Sequence, residues 1–381
     1  MRPETLETIE SVFTATRGVT ERFDRSWFLD AAATGADTTD QWKAMAEQGL
    51  LGIGVPEEYG GYGGGVTGAV AVMEAMSEAG VPSYMYIVTA FGRQAIIGAG
   101  TPEQRKRWVP PTVTGDRRTC FALTESDAGT NSFQMRTRAV RTAHGYRIHG
   151  QKIFISGVDQ AEAMIVAART DDGGPVAEIS LFVVELPAAG LTLQRMDIEM
   201  HAPERQHVLY FDGVEVPQDA RLGEEGAGKQ VLFHALNPER FMIAAWAIGL
   251  GNLAVAKGAA YARGRAPFGR PIGSYQAVQH PLAAAKIHLE AARLMLYQAC
   301  EEYEDGDTSG TKANMVKYLA STAAGAAIEA ALQTHGGHAW DKGTDLVQLW
   351  PMIRSMAQAP INNEMILNYV GERLLDLPRS Y

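Results

Sequence analysis

The hydrophobic period of the sequence changes twice, at about residues 118 and 226, and this change restricts the chain to few architectures. Before the first change, apolar residues recur at helical spacing, as in TTDQWKAMAEQGL. Between the two changes they form short alternating or β-branched runs, YRIHGQKIFISG, AMIVAAR, ISLFVVEL and HVLYFDGVEV. Helical runs then return. We therefore expect three domains: an N-terminal helical domain over 1–118, a β domain over 119–226 and a C-terminal helical domain over 227–381.

The long runs after residue 226 are apolar on most of their surface. They read VLFHALNPERFMIAAWAIGLGNLAVAKGAAYARGR, YQAVQHPLAAAKIHLEAARLMLYQACEEYEDG and ANMVKYLASTAAGAAIEAALQ. Helices of this kind need neighbours on most sides, so we expect a C-terminal four-helix bundle that also buries subunit interfaces. The whole chain is predicted to be a multidomain α+β protein with a small, barrel-like middle sheet.

One helix start is marked clearly, by Thr101-Pro102-Glu103-Gln104. Thr101 can cap the helix, Pro102 suits a first turn that needs no N–H, and Gln104 can reach back to the cap residue as in a capping box. A helix is therefore predicted to begin at Pro102. In the same way, Gly80 is predicted to close the helix GAVAVMEAMSEA.

Charge and composition exclude some classes of function. The formal net charge is −10, which argues against general nucleic-acid binding, because that needs a basic face. The first residues, MRPETLETIESVF, have neither a basic segment nor an apolar segment typical of a targeting signal, and no uninterrupted apolar run is long enough to cross a bilayer. We expect a cytoplasmic protein without a membrane span.

The cysteines and histidines give no sign of a metal site. Cys120 and Cys300 lie far apart in the sequence, without a CxxC or a histidine at ligand spacing, so we expect them to be buried packing residues. The histidines show no HExxH or carboxylate–histidine spacing. No metal is therefore predicted.

Four motifs lie near the expected domain joints: FALTESDAGT (121–130), GQKIFISG (150–157), RAPFGRPIGSYQAVQ (265–279) and HGGHAW (335–340). Each alone is more often an ordinary turn or helix end. Their order and spacing together resemble the acyl-CoA dehydrogenase family of flavoproteins, from about GLLGIGVPEEYGGYGG to the end of the chain. The resemblance implies an FAD-dependent enzyme.

The resemblance also implies which residues bind the flavin ring of FAD. Thr124 would hydrogen-bond the pyrimidine edge, where electron density accumulates on reduction. Ser156 would hydrogen-bond near N5, the atom that accepts hydride. The other residues implied to line or face the ring are Phe121, Leu123, Phe154, Ile155 and Asn362.

The remaining cofactor residues would contact the rest of FAD. The resemblance implies that Arg265 and Phe268 hold the pyrophosphate across a subunit interface. It also implies that a turn contacts the adenosine part through Gln333, Gly336 and Gly337, and that Gln276 joins them. On the CoA side it implies three substrate-binding residues, Gly129, Thr130 and Arg240.

The sequence departs from the family pattern at three places. Ser126-Asp127 stands where Pro-Gly is common, and Phe154 stands where Trp is frequent. The third departure is in QAPINNEM (358–365), where Pro360 occupies the position of the family's usual glutamate base. Proline offers no proton acceptor, so the usual base is absent.

Another carboxylate is available on the first helix of the C-terminal domain. Isovaleryl-CoA dehydrogenase and some long-chain or branched-chain members carry their base there, in a sequence like Glu-Arg-Leu, and NPERFM offers Glu239-Arg240 at that place. The resemblance thus implies that Glu239 is the catalytic base. The alternative, that Glu239 is a solvated or arginine-paired helix residue, stays open.

The predicted function is α,β-dehydrogenation of an acyl-CoA thioester to the trans-2-enoyl-CoA, with electron-transfer flavoprotein as electron acceptor. The resemblance implies a homotetramer and leaves a heterotetramer open. Two alternatives remain: a non-catalytic subunit of a mixed tetramer, which the loss of the loop base favours, and an oxidase or monooxygenase of the same fold. Acyl chain length, and the choice between CoA and a carrier protein, stay open.

Overall fold

A computed structural model describes residues 1–171 and 178–379. Its N-terminal part is helical, as the period predicts. Because Gly and Pro punctuate this part of the sequence, the helices are short or medium in length. They are α1 (Pro3–Thr20), α2 (Arg25–Thr34), α3 (Thr39–Glu47), α4 (Gly65–Glu78), α5 (Tyr84–Ala99), α6 (Pro102–Trp108) and α7 (Pro110–Val113).

The predicted helix ends are confirmed. Thr101 Oγ1 accepts a hydrogen bond from the Gln104 N–H at 3.2 Å, and Gln104 Oε1 accepts one from the Thr101 N–H at 2.8 Å, so the capping box is complete. Helix α4 ends at Glu78, and Gly80 follows it in the left-handed region with φ +81°. Glycine is favoured there because it has no Cβ to clash.

The middle part is a sheet of eight strands, in the order β6-β7-β3-β2-β4-β5-β8, with β1 pairing parallel to β4. The four predicted strands are confirmed as β3, β4, β5 and β7; four shorter ones were not predicted. The strands are β1 (Thr119–Ala122), β2 (Arg138–Thr142), β3 (Gly145–Ser156), β4 (Ala163–Arg169), β5 (Ile179–Glu185), β6 (Leu191–Arg195), β7 (Gln206–Pro217) and β8 (Arg221–Leu222).

The C-terminal part is again helical, which confirms the three-part α+β fold class. Its helices are α8 (Gly228–Gly264), α9 (Gln276–Glu304), α10 (Thr311–His335), α11 (Leu346–Ser355) and α12 (Asn363–Leu374). Helix α8 packs against α9, α10 and α11, and also against α4 and α5 of the N-terminal part. It is therefore the central element that joins the two helical parts.

Buried apolar residues form two main cores that connect these parts of the chain. One apolar core joins α1, α4 and α5 to α8, α9, α10 and α11, and a second joins α5 and the start of α8 to one face of the sheet. Within the described residues, α8 is the one helix long and apolar enough to span a bilayer, with a mean hydropathy of 1.4 over its most apolar window. Because 78% of that window is buried inside the fold, α8 is a core helix. Cys120 and Cys300 are both buried free thiols, as predicted.

Candidate active site

The loop after β1, which carries the motif TES, is fixed by a buried ion pair. Lys152 on β3 is 0% exposed, and its Nζ donates to Glu125 Oε1 at 2.9 Å and to the Leu123 carbonyl at 2.8 Å. The Ile153 N–H donates to the Thr124 carbonyl at 3.0 Å. These bonds hold the backbone on both sides of Thr124 against β3, so the loop is a rigid platform.

The pKa values of Lys152 and Glu125 are both lowered, for different reasons. Burial lowers the pKa of Lys152 to about 8, against the opposing attraction of Glu125. Burial alone would raise the pKa of Glu125, but Lys152 and hydrogen bonds from residues 136 and 137 outweigh it and hold that pKa below its usual range. Both groups are therefore charged near neutral pH. The sequence analysis did not select Lys152 or Glu125 as site residues. The signal that could have found them is a charged residue within an otherwise apolar motif, FALTES for Glu125 and GQKIFISG for Lys152.

Strand β3 bulges immediately after Lys152. Lys152 pairs with Leu209 and Ile155 with His207, so β3 has one more residue than β7 across this step. The extra residue places Phe154 at φ +59° and leaves it 56% exposed, while the next residue, Ile155, is buried. A bulky residue at positive φ is strained, and such strain concentrates at ligand sites. The bulge thus presents an aromatic face to solvent beside the TES loop.

The conformation of Phe154 yields a prediction. We expect Phe154→Gly to unfold with a free energy about 1 kcal/mol higher than that of Phe154→Ala, because alanine keeps the Cβ that clashes at positive φ. Both variants remove the aromatic ring, so the difference between them reports the backbone conformation alone. Chemical denaturation measures the two free energies of unfolding. Equal stability of the two variants would contradict strain at this position.

Ser156 ends the same strand. Its Oγ accepts a hydrogen bond from Gln206 Nε2 at 2.7 Å, while Gln206 Oε1 is buried and has no hydrogen-bond partner within the described residues. Such an unpartnered buried oxygen is unusual in a folded protein. Ser156 keeps its hydroxyl proton to donate, so the pair has unused hydrogen-bonding capacity beside the Phe154 bulge.

On the other side of the β1 edge, Phe121 and Leu123 are partly buried. The Phe121 ring packs edge-on against Phe91 of α5, with the ring centroids 4.4 Å apart. Gly129 has nothing within 4 Å of the position that a Cβ would take, and Thr130 beside it is exposed. A ligand can therefore approach this backbone closely.

The segment between α11 and α12 contacts this loop. Asn362 Oδ1 accepts from the Met365 N–H at 2.9 Å and so caps α12, while its Nδ2 donates to Thr130 Oγ1 at 3.2 Å. Asn362 and Thr130, predicted from separate motifs, are thus brought together. Pro360 is partly buried two residues before the cap and supplies no carboxylate.

Glu239 lies where the two apolar cores meet on α8. Leu232 and Ala235 belong to the core under the sheet, whereas the helix from Phe241 onward belongs to the core between the helical parts. The side chain of Glu239 is only half-buried, and within the described residues its carboxylate has neither a hydrogen bond nor an ion pair. Burial raises its pKa to about 7, and Arg240 opposes this in part. An acceptor with that pKa can exchange protons near neutral pH.

Arg240 makes its side-chain hydrogen bond within α8. Its Nη1 donates to Asn237 Oδ1 at 2.8 Å, and its buried Nε has no hydrogen-bond partner in the described part of the chain. Asn237 in turn donates to the Thr308 carbonyl at 2.9 Å. Within the described residues, the Nε–H of Arg240 is therefore an unused donor.

A second group of predicted residues lies at the far end of α8. Arg265 follows the last turn of the helix and is exposed, as is Gln276 at the start of α9, and Phe268 is 83% exposed. Gln333, Gly336 and Gly337 are exposed at the end of α10, and a Cβ on either glycine would meet nothing within 4 Å. In this group, the backbone of Gly336 and Gly337 and the guanidinium of Arg265 are accessible to solvent.

Tyr261 holds the two turns of this second group together. Its hydroxyl lies 3.0 Å from His338 Nδ1, and its ring stacks on His335 with centroids 4.2 Å apart. The group is remote from Glu239, because the helix rises about 1.5 Å per residue and the positions of Glu239 and Arg265 are therefore roughly 39 Å apart. The predicted residues thus form two clusters on one chain.

Other features of the surface do not belong to either cluster. A cavity of about 520 Å³ opens beside Trp108, Pro187 and Asp212, and none of the predicted site residues lines it. Across residues 1–171 and 178–379, no group of three or more histidine, cysteine, aspartate or glutamate side chains could hold a metal ion.

Models of known protein families match most of the chain. Three family models match in order: the acyl-CoA dehydrogenase N-terminal domain over residues 10–116, the middle domain over 120–214 and the C-terminal domain over 226–375. The chain belongs to the acyl-CoA dehydrogenase family. Members of this family are flavoproteins, and the protein is accordingly an oxidoreductase acting on acyl-CoA.

Individual acyl-CoA dehydrogenases are similar over nearly the whole length. Acyl-CoA dehydrogenase FadE12 of Mycobacterium tuberculosis H37Rv is 39% identical over 364 residues, which cover 94% of each chain. The crystal structure of an acyl-CoA dehydrogenase from Geobacillus kaustophilus superposes with a TM-score of 0.91 at 28% identity, covering 99% of each chain. A chain from a structural study of the electron transferring flavoprotein of Acidaminococcus fermentans has a TM-score of 0.91 at 26% identity, covering 98% of each chain.

Proposed function

We propose that this protein catalyses the FAD-dependent α,β-dehydrogenation of an acyl-CoA thioester to the trans-2-enoyl-CoA, with Glu239 as the base. The observation that carries the proposal is the half-buried Glu239 carboxylate, which has no ion-pair partner within the described residues and a pKa raised to about 7. A half-buried carboxylate with a raised pKa is a candidate general base. Because Pro360 removes the loop acid, Glu239 is the available acceptor.

The residues present fit FAD. The strained, exposed Phe154 offers a ring face, Gln206 and Ser156 offer unused hydrogen-bonding groups, and the Thr124 backbone is held rigidly between them and the Thr130 loop. Phe121, Leu123, Ile155 and Asn362 would complete this surface. When bound, FAD would supply the acceptor for a hydride from the β carbon of the acyl group.

Glu239 would accept the proton from the α carbon as that hydride leaves with its electron pair, and the carbon–carbon double bond would form between the two carbons. Partial burial favours this proton transfer, because it weakens the solvation of the carboxylate and raises its proton affinity. Gly129, Thr130 and Arg240 are proposed to hold the CoA side of the substrate.

The position of Arg265 supports an oligomer. A cofactor at Thr124 and Ser156, within reach of substrate at Glu239, would not extend along α8 to Arg265 of the same chain. We therefore propose that Arg265, Phe268, Gln276, Gln333, Gly336 and Gly337 bind the phosphate and adenosine parts of FAD in a neighbouring subunit. A homotetramer in the cytoplasm, with electron-transfer flavoprotein as acceptor, is proposed on family resemblance.

A second candidate is favoured by Pro360 alone. Without a loop carboxylate, the chain could serve as the non-catalytic subunit of a mixed tetramer. The two candidates differ in a simple property, because a non-catalytic subunit would purify without flavin or would require a second chain for activity.

Anaerobic bleaching of the bound flavin tests the proposal. Straight, branched and bulky acyl-CoAs are mixed separately with the purified protein while flavin absorbance is followed. We expect rapid bleaching with one class of thioester and formation of the enoyl product by mass spectrometry. If FAD is bound but no thioester bleaches it, or if the purified protein binds no FAD, the proposal for this chain alone is wrong.

A further inference from the structure

Lys317 is a buried cation that the predicted chemistry does not use. It lies on α10 and is 0% exposed, in register with the core residues Ala313, Ala320 and Ala324. Burial lowers its pKa to about 7; Glu364 opposes this lowering and Arg240 adds to it. A lysine in an apolar helix interface is costly unless its ammonium group makes good hydrogen bonds. Its contacts therefore identify what it stabilises.

The two hydrogen bonds of Lys317 go to the end of the segment between α11 and α12 and to the first residue of α12. Nζ donates to the Ile361 carbonyl at 2.6 Å and to Asn363 Oδ1 at 3.0 Å. The Asn363 side chain is further fixed by Ser321 of α10, at 3.1 and 3.2 Å. Both acceptors of the ammonium are neutral oxygens, so Lys317 is held by the segment and not by a carboxylate.

The residue between these two anchor points is Asn362. Its side chain caps α12 through the Met365 N–H and donates to Thr130 Oγ1 at 3.2 Å. Lys317 thus holds both chain neighbours of the residue that connects the C-terminal helices to the Gly129–Thr130 turn. Movement of the segment would separate Asn362 from Thr130.

We propose that Lys317 is a positioning residue of the acyl-CoA site, which fixes Asn362 against Thr130 and so holds this segment beside the Gly129–Thr130 turn. The inference rests on the proposed function, because it takes the Thr130 turn as the substrate side. A methionine of similar volume would satisfy packing but would not anchor a carbonyl and an amide. This explains why a lysine occupies a core position of α10.

The test measures binding of a redox-inert thioether analogue of an acyl-CoA by calorimetry, with the FAD-loaded protein. We expect Lys317→Met to weaken binding about tenfold, the effect of losing hydrogen bonds from a charged group. Asn362→Ala should weaken binding to a similar extent. In the Asn362→Ala background, Lys317→Met should then add little, because both substitutions break the same connection.

A matched control separates positioning from general stability. Lys257→Met removes an ion pair with Asp345 on the same helical part, far along α8 from Glu239, and should leave binding within twofold of wild type. Lys317→Gln keeps a hydrogen-bond donor, so it should bind the analogue more tightly than Lys317→Met does. If Lys317→Met does not fold, Lys317→Gln replaces it in the same measurements. Additive losses, or unchanged binding in folded Lys317 variants, would overturn the inference. Failure of the wild type to oxidise any thioester would instead overturn the proposed function.

Discussion

Glu239→Gln is expected to retain FAD and to lose thioester oxidation by about 10³-fold, within the usual range for removal of a general base. Glutamine keeps the shape and polarity of the side chain but cannot accept a proton. Because the carboxylate has neither a hydrogen bond nor an ion pair among the described residues, the substitution should not disturb the fold. Stopped-flow reduction of the flavin by the best substrate of the wild type measures the loss.

The wild type should also show a pH dependence that the variant lacks. Glu239 acts as a base only when ionised, and its pKa is raised by burial to about 7, so the rate of flavin reduction should rise with pH through about 7 and then level. The contribution of Glu239 to the free energy of unfolding should change with pH in the opposite direction to the rate. Between the unfolded and folded pKa values the folded state binds more protons, so this group lowers the free energy of unfolding as pH rises from about 4.5 to about 7.

Glu364→Gln is the matched control for Glu239→Gln. Glu364 is an exposed carboxylate in the first turn of α12, close to Pro360 and the loop where the family's usual base would lie. Its removal should change flavin reduction by less than about threefold. If this variant lost activity and Glu239→Gln did not, Glu364 and not Glu239 would be the base.

The second large effect is expected for Lys152→Met. Removal of this ammonium leaves Glu125 charged in a buried site, which typically costs about 3–5 kcal/mol. It also frees the Leu123 carbonyl, so the TES loop should lose its fixed position and the protein should lose FAD. Urea denaturation and the ratio of flavin to protein absorbance measure the two consequences.

Arg147→Met provides a control on the same strand. Arg147 pairs with Glu215 at 2.7 Å, but both side chains are largely exposed, and exposed ion pairs contribute about 0–1 kcal/mol. The variant should keep its FAD and nearly all of its stability. A comparable loss in both variants would show that the buried pair has no special role in holding the loop.

Local rules predicted a large part of the fold. The capping box at Thr101 and the strands with long apolar runs depend on neighbouring residues alone, and all of them form as expected. The strands β1, β2, β6 and β8 were not predicted, because they are short and several of their residues face solvent. Their stability comes from pairing with β3, β4, β5 and β7, which a local pattern does not report.

The candidate site could be predicted only in part. The four motifs supplied most of its residues, and Asn362 and Thr130, taken from separate motifs, do meet in the structure. The division of the residues into two clusters follows from the length of α8. Lys152 and Lys317 were missed because a lysine in sequence is most often a surface residue, and only the surrounding helices and strands reveal that these two are buried.

The continuous helix α8 also restricts how the sequence can change in length. Glu239 lies on α8, and Arg265 directly follows its last residue. Inserting or deleting a single residue between them would therefore rotate one relative to the other by about 100° and shift it by about 1.5 Å. No loop between them can absorb such a change. Variation in length among related sequences should therefore concentrate in the connections around the sheet and avoid the segment from Glu239 to Arg265.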